Sequence, residues 1–181
     1  MKQTFDTEEK IVLDNGAVSE DGVKFVINPY DEYAVEQAIL MRDAAGGGRV
    51  TVVSVGPGRA AEALRTALAM GADDAALIDD GRIPGDEYAV SRVFAAYLGG
   101  GKHAGAPAVD GEPVDLILGG NFSVDNGAGQ VAVRLAHLLD VPHAAAVTKL
   151  EAADGIARAE RDAEGDTEVV EVRLPALFTA Q

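Results

Sequence analysis

Cysteine is absent from the 181 residues, and that absence excludes more than any other feature of the chain. It rules out disulfides, thiol redox pairs and thiolate-held zinc or iron–sulfur centres. Any electrons handled here must travel on an organic cofactor or through a partner. Histidine is scarce too. His103, His137 and His143 lie scattered, without metal-ligand spacing, and read as structural or solvent-facing residues, so no metal site is expected. Basic charge is in short supply, with 15 Lys+Arg against 30 Asp+Glu and a formal net charge of −15. A phosphate-backbone binder needs a basic surface to release counterions, so nucleic acid is not an expected partner. The acidic surface reads as solvated; it identifies no partner by itself. No apolar run approaches the roughly 18 residues of a membrane span, and the first residues lack a signal-peptide pattern. These absences predict a soluble, cytoplasmic protein that is not membrane-embedded.

Motifs of chemistry are missing as well. No Gly-Lys-Ser/Thr follows a glycine-rich turn, and no GxGxxG is present, which excludes a P-loop and a dinucleotide fingerprint. There is no nucleophile elbow with a Ser/His/Asp set, and no carboxylate pair with a defined spacing. No catalytic residue is expected.

Apolar residues make up 48% of the chain, enough for the core of one domain spanning 1–181. Apolar arms around Asp14-Asn15-Gly16, from Ile11 to Val18, give a short hairpin signal. Val23 to Ile27 reads as a strand that Asn28-Pro29 ends, with Asn28 as N-cap and Pro29 at the first position of a helix reaching Asp43. The β-branched run Arg49 to Val55 is a second strand, closed by Gly56-Pro57-Gly58. A helix from Arg59 to Met70, a strand from Ala75 to Ile78 and a helix from Asp86 to Leu98 follow. Gly99 to Pro113, rich in Gly, Ala and Pro, reads as a flexible internal linker. Val114 to Leu118 has the short apolar character of a buried parallel strand, and a helix is expected from Ala128 to Leu139. Beyond Pro142 the period becomes strand-like: Ala144–Leu150, Ile156–Arg161 and Glu168–Thr179 predict an antiparallel extension.

Strands alternating with helices predict an α/β fold with a parallel sheet, in which ligands gather at the carboxyl ends of the strands. Three turns meet that condition: Asn28 to Asp31, Val55 to Gly58, and Gly119 to Gln130. The third, Gly119-Gly120-Asn121-Phe122-Ser123-Val124-Asp125-Asn126-Gly127-Ala128-Gly129-Gln130, lies between a strand and a helix. Its glycines let backbone N–H groups approach an anion, and the helix N-terminus adds partial positive charge. A phosphate could sit there without any lysine. Asp125 and Asn126 suit sugar hydroxyls or a helix cap. A nucleotide cradle and a purely structural turn both fit these residues.

Four segments carry a resemblance to a known family. They are Lys2-Gln3 followed by Phe5-Asp6; Asn28 to Glu36 (NPYDEYAVE); Leu64 to Asp73 (LRTALAMGAD); and Arg161, Glu164-Gly165-Asp166, Glu168, Val170, Pro175 and Thr179 in order. On these the chain resembles the electron-transfer flavoprotein beta family along almost its whole length, and the non-bifurcating bacterial type within it. The resemblance implies a Rossmann-like, adenine nucleotide alpha hydrolase-like fold. It implies a heterodimer with an alpha subunit, FAD held mainly on alpha, and AMP buried by the beta chain. Electrons would pass from flavin dehydrogenases, as in fatty-acid oxidation, to a membrane quinone oxidoreductase. The implied AMP-contacting residues are Asn28, Pro29, Tyr30, Asp31, Val55, Gly120, Asn121, Phe122, Ser123, Val124, Asp125, Asn126, Gly127, Ala128, Gly129, Gln130 and Val131.

The chain departs from the family pattern in places. The family's first strand, expected before Lys2, and its segment beyond Gln181 are missing, so the chain reads as truncated at both ends. Phe178 stands where an aliphatic residue is usual, and Gly127 and Gly129 replace bulkier polar residues. Two other readings use the same turns. An electron-bifurcating relative would hold a second FAD in place of AMP and react with NADH. A stand-alone adenine-nucleotide sensor would need no partner, but its glycine–glycine–serine phosphate pattern is absent.

Overall fold

The computed structural model describes residues 1–8, 10, 12–19, 21–99 and 105–181. Ile11 of the expected hairpin, His103, and residues 100–104 of the expected linker lie outside them. Strand β1 (Gln3–Phe5) precedes a small hairpin of β2 (Leu13–Asp14) and β3 (Ala17–Val18). Its turn is Asn15-Gly16, both with positive φ, as a two-residue hairpin of this kind requires. Strand β4 (Phe25–Ile27) then leads into α1 (Pro29–Ala44). Strand β5 (Thr51–Val55), a short 3-10 turn (Gly58–Ala60), α2 (Ala61–Met70), β6 (Asp74–Ile78) and α3 (Glu87–Leu98) follow. The Asp86 carboxylate caps α3 by accepting from the Ala89 N–H at 2.8 Å, and Gly99 ends it in the left-handed region, as a C-terminal glycine should.

Within the segment 99–113, β7 (Ala108–Val109) pairs with β8 (Glu112–Pro113). The remaining elements are β9 (Leu116–Gly120), α4 (Val131–Leu139), β10 (His143–Ala153), β11 (Ile156–Ala163), β12 (Asp166–Arg173) and β13 (Ala176–Ala180).

The class is α/β, as expected, with differences in detail. Parallel pairing occurs in two separate places. Strand β5 lies parallel to β6, and β13 lies parallel to both β9 and β10 in a five-stranded sheet of order β12-β11-β10-β13-β9. The expected single strand Glu168–Thr179 is two strands. Its first half ends the antiparallel β10–β11–β12 run, and Pro175, which has no N–H to donate, lies between the halves. Its second half returns to the middle of the sheet as β13, where Ala176, Leu177, Phe178 and Thr179 are all buried. The strand expected at Val114–Leu118 is displaced to Leu116–Gly120, so both glycines of the Gly-Gly pair belong to it. Helix α4 starts at Val131 rather than Ala128, because Gly127 and Gly129 take φ of +66° and +60°, which no helix accommodates.

Three apolar clusters hold the layers together. One joins Ile27, Val35, Ile39, Val52 and Leu64 between α1, α2 and the β5–β6 pair. A second lies on the C-terminal sheet around Val147, Leu150, Val172 and Phe178. The third packs Leu98 of α3 and Leu135 and Leu139 of α4 on Leu177. Since helices α1 and α4 pack against the five-stranded sheet, the turns entering them share the carboxyl end of β9.

Candidate functional site

Asn28 ends β4 and precedes Pro29, the position of an N-cap, but its side chain does not cap the helix. It is 1% exposed and turned towards the glycine-rich turn. Its Nδ2 donates to the Phe122 carbonyl at 2.9 Å and to Asp31 Oδ2 at 3.0 Å. Its Oδ1 accepts from the Val124 N–H at 3.1 Å. Asp31, one turn into α1, does similar work. Its Oδ1 accepts from the Gly120 N–H at 3.0 Å, and its Oδ2 also accepts from the Lys2 N–H at 3.1 Å. The Tyr30 ring packs on Phe122, with centroids 4.3 Å apart. A buried carboxylate with three N–H donors and a buried amide with three partners are fully satisfied groups. They therefore act as fasteners between two strand-end turns.

Gly120 is the point of closest approach. A Cβ there would lie 2.9 Å from the Asp31 nitrogen, 2.9 Å from Tyr30 Cβ and 3.0 Å from the Tyr30 carbonyl carbon. Only glycine lets the two backbones meet. The opposite side of the turn is tied to the sheet. The Asn121 N–H donates to the Ala180 carbonyl at 2.9 Å, and the Thr179 hydroxyl donates to Asn121 Oδ1 at 3.0 Å. That hydroxyl in turn accepts from the Ala146 N–H.

From Asp125 to Gly127 the turn faces solvent. Lys2 Nζ lies 2.7 Å from both Asp125 carboxylate oxygens and 3.2 Å from Ser123 Oγ. Burial pushes the Asp125 carboxyl up, but the Lys2 ammonium, the Ser123 hydroxyl and the Asn126 N–H outweigh it and hold the group below its usual range. The Ser123 hydroxyl donates to Asn126 Oδ1 at 2.9 Å, which also accepts from the Ala128 N–H at 3.3 Å. Gly127 borders open space, while a Cβ on Gly129 would meet the Asn121 carbonyl at 3.2 Å. No side chain caps α4. Gln130 instead accepts from Arg134 through Oε1, so the first-turn N–H groups of the helix remain for an anion.

The structure thus joins two of the three turns singled out in the sequence, Asn28–Asp31 and Gly119–Gln130. Among the described residues, no hydrogen bond links either to Val55, which closes β5 beside Ile78. Lys2 is the residue that sequence reasoning missed as part of the site. It lies 123 positions from Asp125, and no local pattern signals that distance. A cleft of about 570 Å³ lies elsewhere, between β4 and α2, and is lined by Phe25, Ile27, Glu32, Arg59 and Glu62 among others. Among the described residues no acidic or histidine cluster has the form of a metal site, and no helix is long and apolar enough to cross a membrane.

The electron transfer flavoprotein domain matches residues 15–181. The electron transfer flavoprotein subunit beta of Bacillus subtilis is 49% identical over 183 residues, covering 100% of this chain and 66% of its own. This chain belongs to the electron transfer flavoprotein beta-subunit family. The beta subunit of Syntrophomonas wolfei is 41% identical, over 100% of this chain and 67% of its own. The "Caffeyl-CoA reductase-Etf complex subunit CarD" of Acetobacterium woodii is 37% identical, over 98% and 65%. The chain spans about two thirds of the length of these family members. Both interlocked turns lie inside the matched region.

Proposed function

We propose that this chain is the beta subunit of a heterodimeric electron-transfer flavoprotein and holds AMP at the interlocked turns. The observation that supports this reading is the pairing of the family match with a turn suited to phosphate. Asn28 and Asp31 fasten Gly120–Val124 from below, while the N–H groups of Gly129–Val131, at the uncapped start of α4, stay available. The donor set fits an adenylate: backbone N–H groups and a helix N-terminus for phosphate, with Asn126 and Gln130 for hydroxyls. Tyr30 and Phe122 present aromatic surface beside it. Val55 belongs to the proposed contact set as the third strand end.

In this reading the beta chain performs no chemistry. FAD, held mainly on the alpha subunit, carries the electrons when bound. The beta residues orient, exclude water and shape a docking surface. Electrons pass from flavin dehydrogenases, acyl-CoA dehydrogenases among them, to a membrane quinone oxidoreductase, in the cytoplasm. The competing reading is a second FAD in place of AMP, since AMP is half of that cofactor and the same donors would hold it. Similarity to a subunit of a reductase–Etf complex keeps that reading in view.

Acid extraction of the complex co-purified with its alpha subunit decides between them. One FAD and one AMP per heterodimer supports the carrier with structural AMP. Two FAD and no AMP assigns the same residues to a second flavin. Failure to bind any alpha subunit removes both.

A further inference from the structure

The chain is strongly acidic, yet a lysine ammonium stands at the solvent-facing end of the glycine-rich turn. Lys2 Nζ touches both oxygens of Asp125 at 2.7 Å and the Ser123 hydroxyl at 3.2 Å. Their side chains retain exposure, 42% for Lys2 and 23% for Asp125. The contact continues into the turn. Ser123 donates to Asn126 Oδ1, and the same oxygen accepts from the Ala128 N–H. Asp125 Oδ1 accepts from the Asn126 N–H at 2.8 Å, and Gly127 N–H closes on the Ser123 carbonyl at 2.8 Å. Ser123 and Asp125 touch that single ammonium directly, Asn126 and Gly127 are tied to it through one partner, and Ala128 through two. Val124 is held from the other side by Asn28.

The backbone of Lys2 is itself fixed to the other turn. Its carbonyl accepts from the Asn28 N–H at 3.0 Å and its N–H donates to Asp31. One residue therefore connects the buried fastening at Asn28 and Asp31 with the exposed stretch Asp125–Gly127 that leads into α4. We propose that Lys2 is a positioning residue for the phosphate end of the adenylate, acting through Asp125 and Ser123. This inference rests on the reading of the turn as a nucleotide site. Charge-assisted hydrogen bonds are about twice as strong as neutral ones, and this one lies in a turn whose Gly127 and Gly129 take positive φ. Without the ammonium, Asp125 stands as an uncompensated negative charge beside the place where a phosphate dianion docks.

The test uses the complex with its alpha subunit, stripped of nucleotide, and titrates AMP and adenosine separately by calorimetry. Lys2→Met keeps length and removes charge. It is expected to weaken AMP about tenfold or more, to leave adenosine within about twofold, and to preserve the heterodimer. Lys2→Arg is expected to restore most of the AMP affinity. Equal losses for AMP and adenosine, or no loss for either, overturn the assignment. If Lys2→Met does not yield a complex, Asp125→Ala carries the test. It breaks the tether while leaving Lys2 in place, and unchanged AMP affinity there also overturns it. Wild type is read alongside. If it binds no adenylate, the nucleotide reading itself falls and this inference with it. If wild type binds AMP and the variants bind it equally, only the role of Lys2 falls.

Discussion

Replacing Gly120 with alanine isolates the contact on which the site is built. In a strand, Gly→Ala usually stabilises, by about 0.5–1 kcal/mol, because the unfolded chain loses freedom. Here the new Cβ would meet the Asp31 nitrogen and Tyr30 Cβ at 2.9 Å and the Tyr30 carbonyl carbon at 3.0 Å. Two of those atoms are backbone of the first turn of α1 and cannot rotate aside. Overpacking of this kind costs about 1–3 kcal/mol. The same displacement stretches the 3.0 Å bond from the Gly120 N–H to Asp31, a charge-assisted bond worth about 1.5–3 kcal/mol when intact. If half of it is lost, the net effect is a destabilisation of about 2 kcal/mol, or about 4–8 °C in Tm for a domain of this size. Gly119 is the internal control. A Cβ there meets only Ala132 Cβ, at 4.0 Å, so Gly119→Ala should be neutral or slightly stabilising. Urea denaturation of both variants, with wild type alongside, gives the comparison through the midpoint at constant slope. Equal stability of the two variants would refute the claim that backbone approach at Gly120 holds the turns together.

Asp31→Asn keeps the shape of the side chain but replaces an acceptor of three N–H groups with an amide that must turn an NH₂ towards at least one of them. A loss of about 2 kcal/mol is expected in urea denaturation, with weaker adenylate retention because the Gly120 N–H is released; unchanged stability would show that Asp31 is not a fastener. Asp73 offers a pH test. The Val50 N–H, and then Arg42, hold its carboxyl below the usual range. A lowered folded value contributes stability that is complete above the ordinary carboxylate pKa of about 4 and is lost as pH falls through the folded value. The Tm gap between wild type and Asp73→Asn should therefore be present at pH 6 and shrink below about pH 4. A gap constant with pH would place the effect of the substitution in something other than this ionisation.

Much of the frame was legible along the chain. The β-branched run Thr51–Val55, the Asn28-Pro29 helix start and the Asn15-Gly16 hairpin turn depend on residues only a few positions apart, and each formed where local pattern placed it. Errors arose where a local pattern had two meanings. Ala128-Gly129-Gln130 reads as a helix start by composition, but positive φ at Gly127 and Gly129 keeps the chain irregular until Val131. Asn28 reads as a capping residue by position, yet its amide is spent on Phe122 and Val124, 94 and 96 residues away. A side chain with two good uses is assigned by whichever partner the rest of the fold delivers.

The sequence alone pointed to the α/β class and to three strand-end turns, because turn chemistry and periodicity act within a few residues, and four motif segments carried the family resemblance. Tertiary structure decided the rest. The return of β13 between β9 and β10, the difference between Gly119 and Gly120, and the meeting of Lys2 with Asp125 all follow from strand order and the packing of α1 on β9. Those contacts join residues 89 to 123 positions apart at the site. No short-range preference encodes them, since their free energy exists only once the sheet has brought the strand ends together.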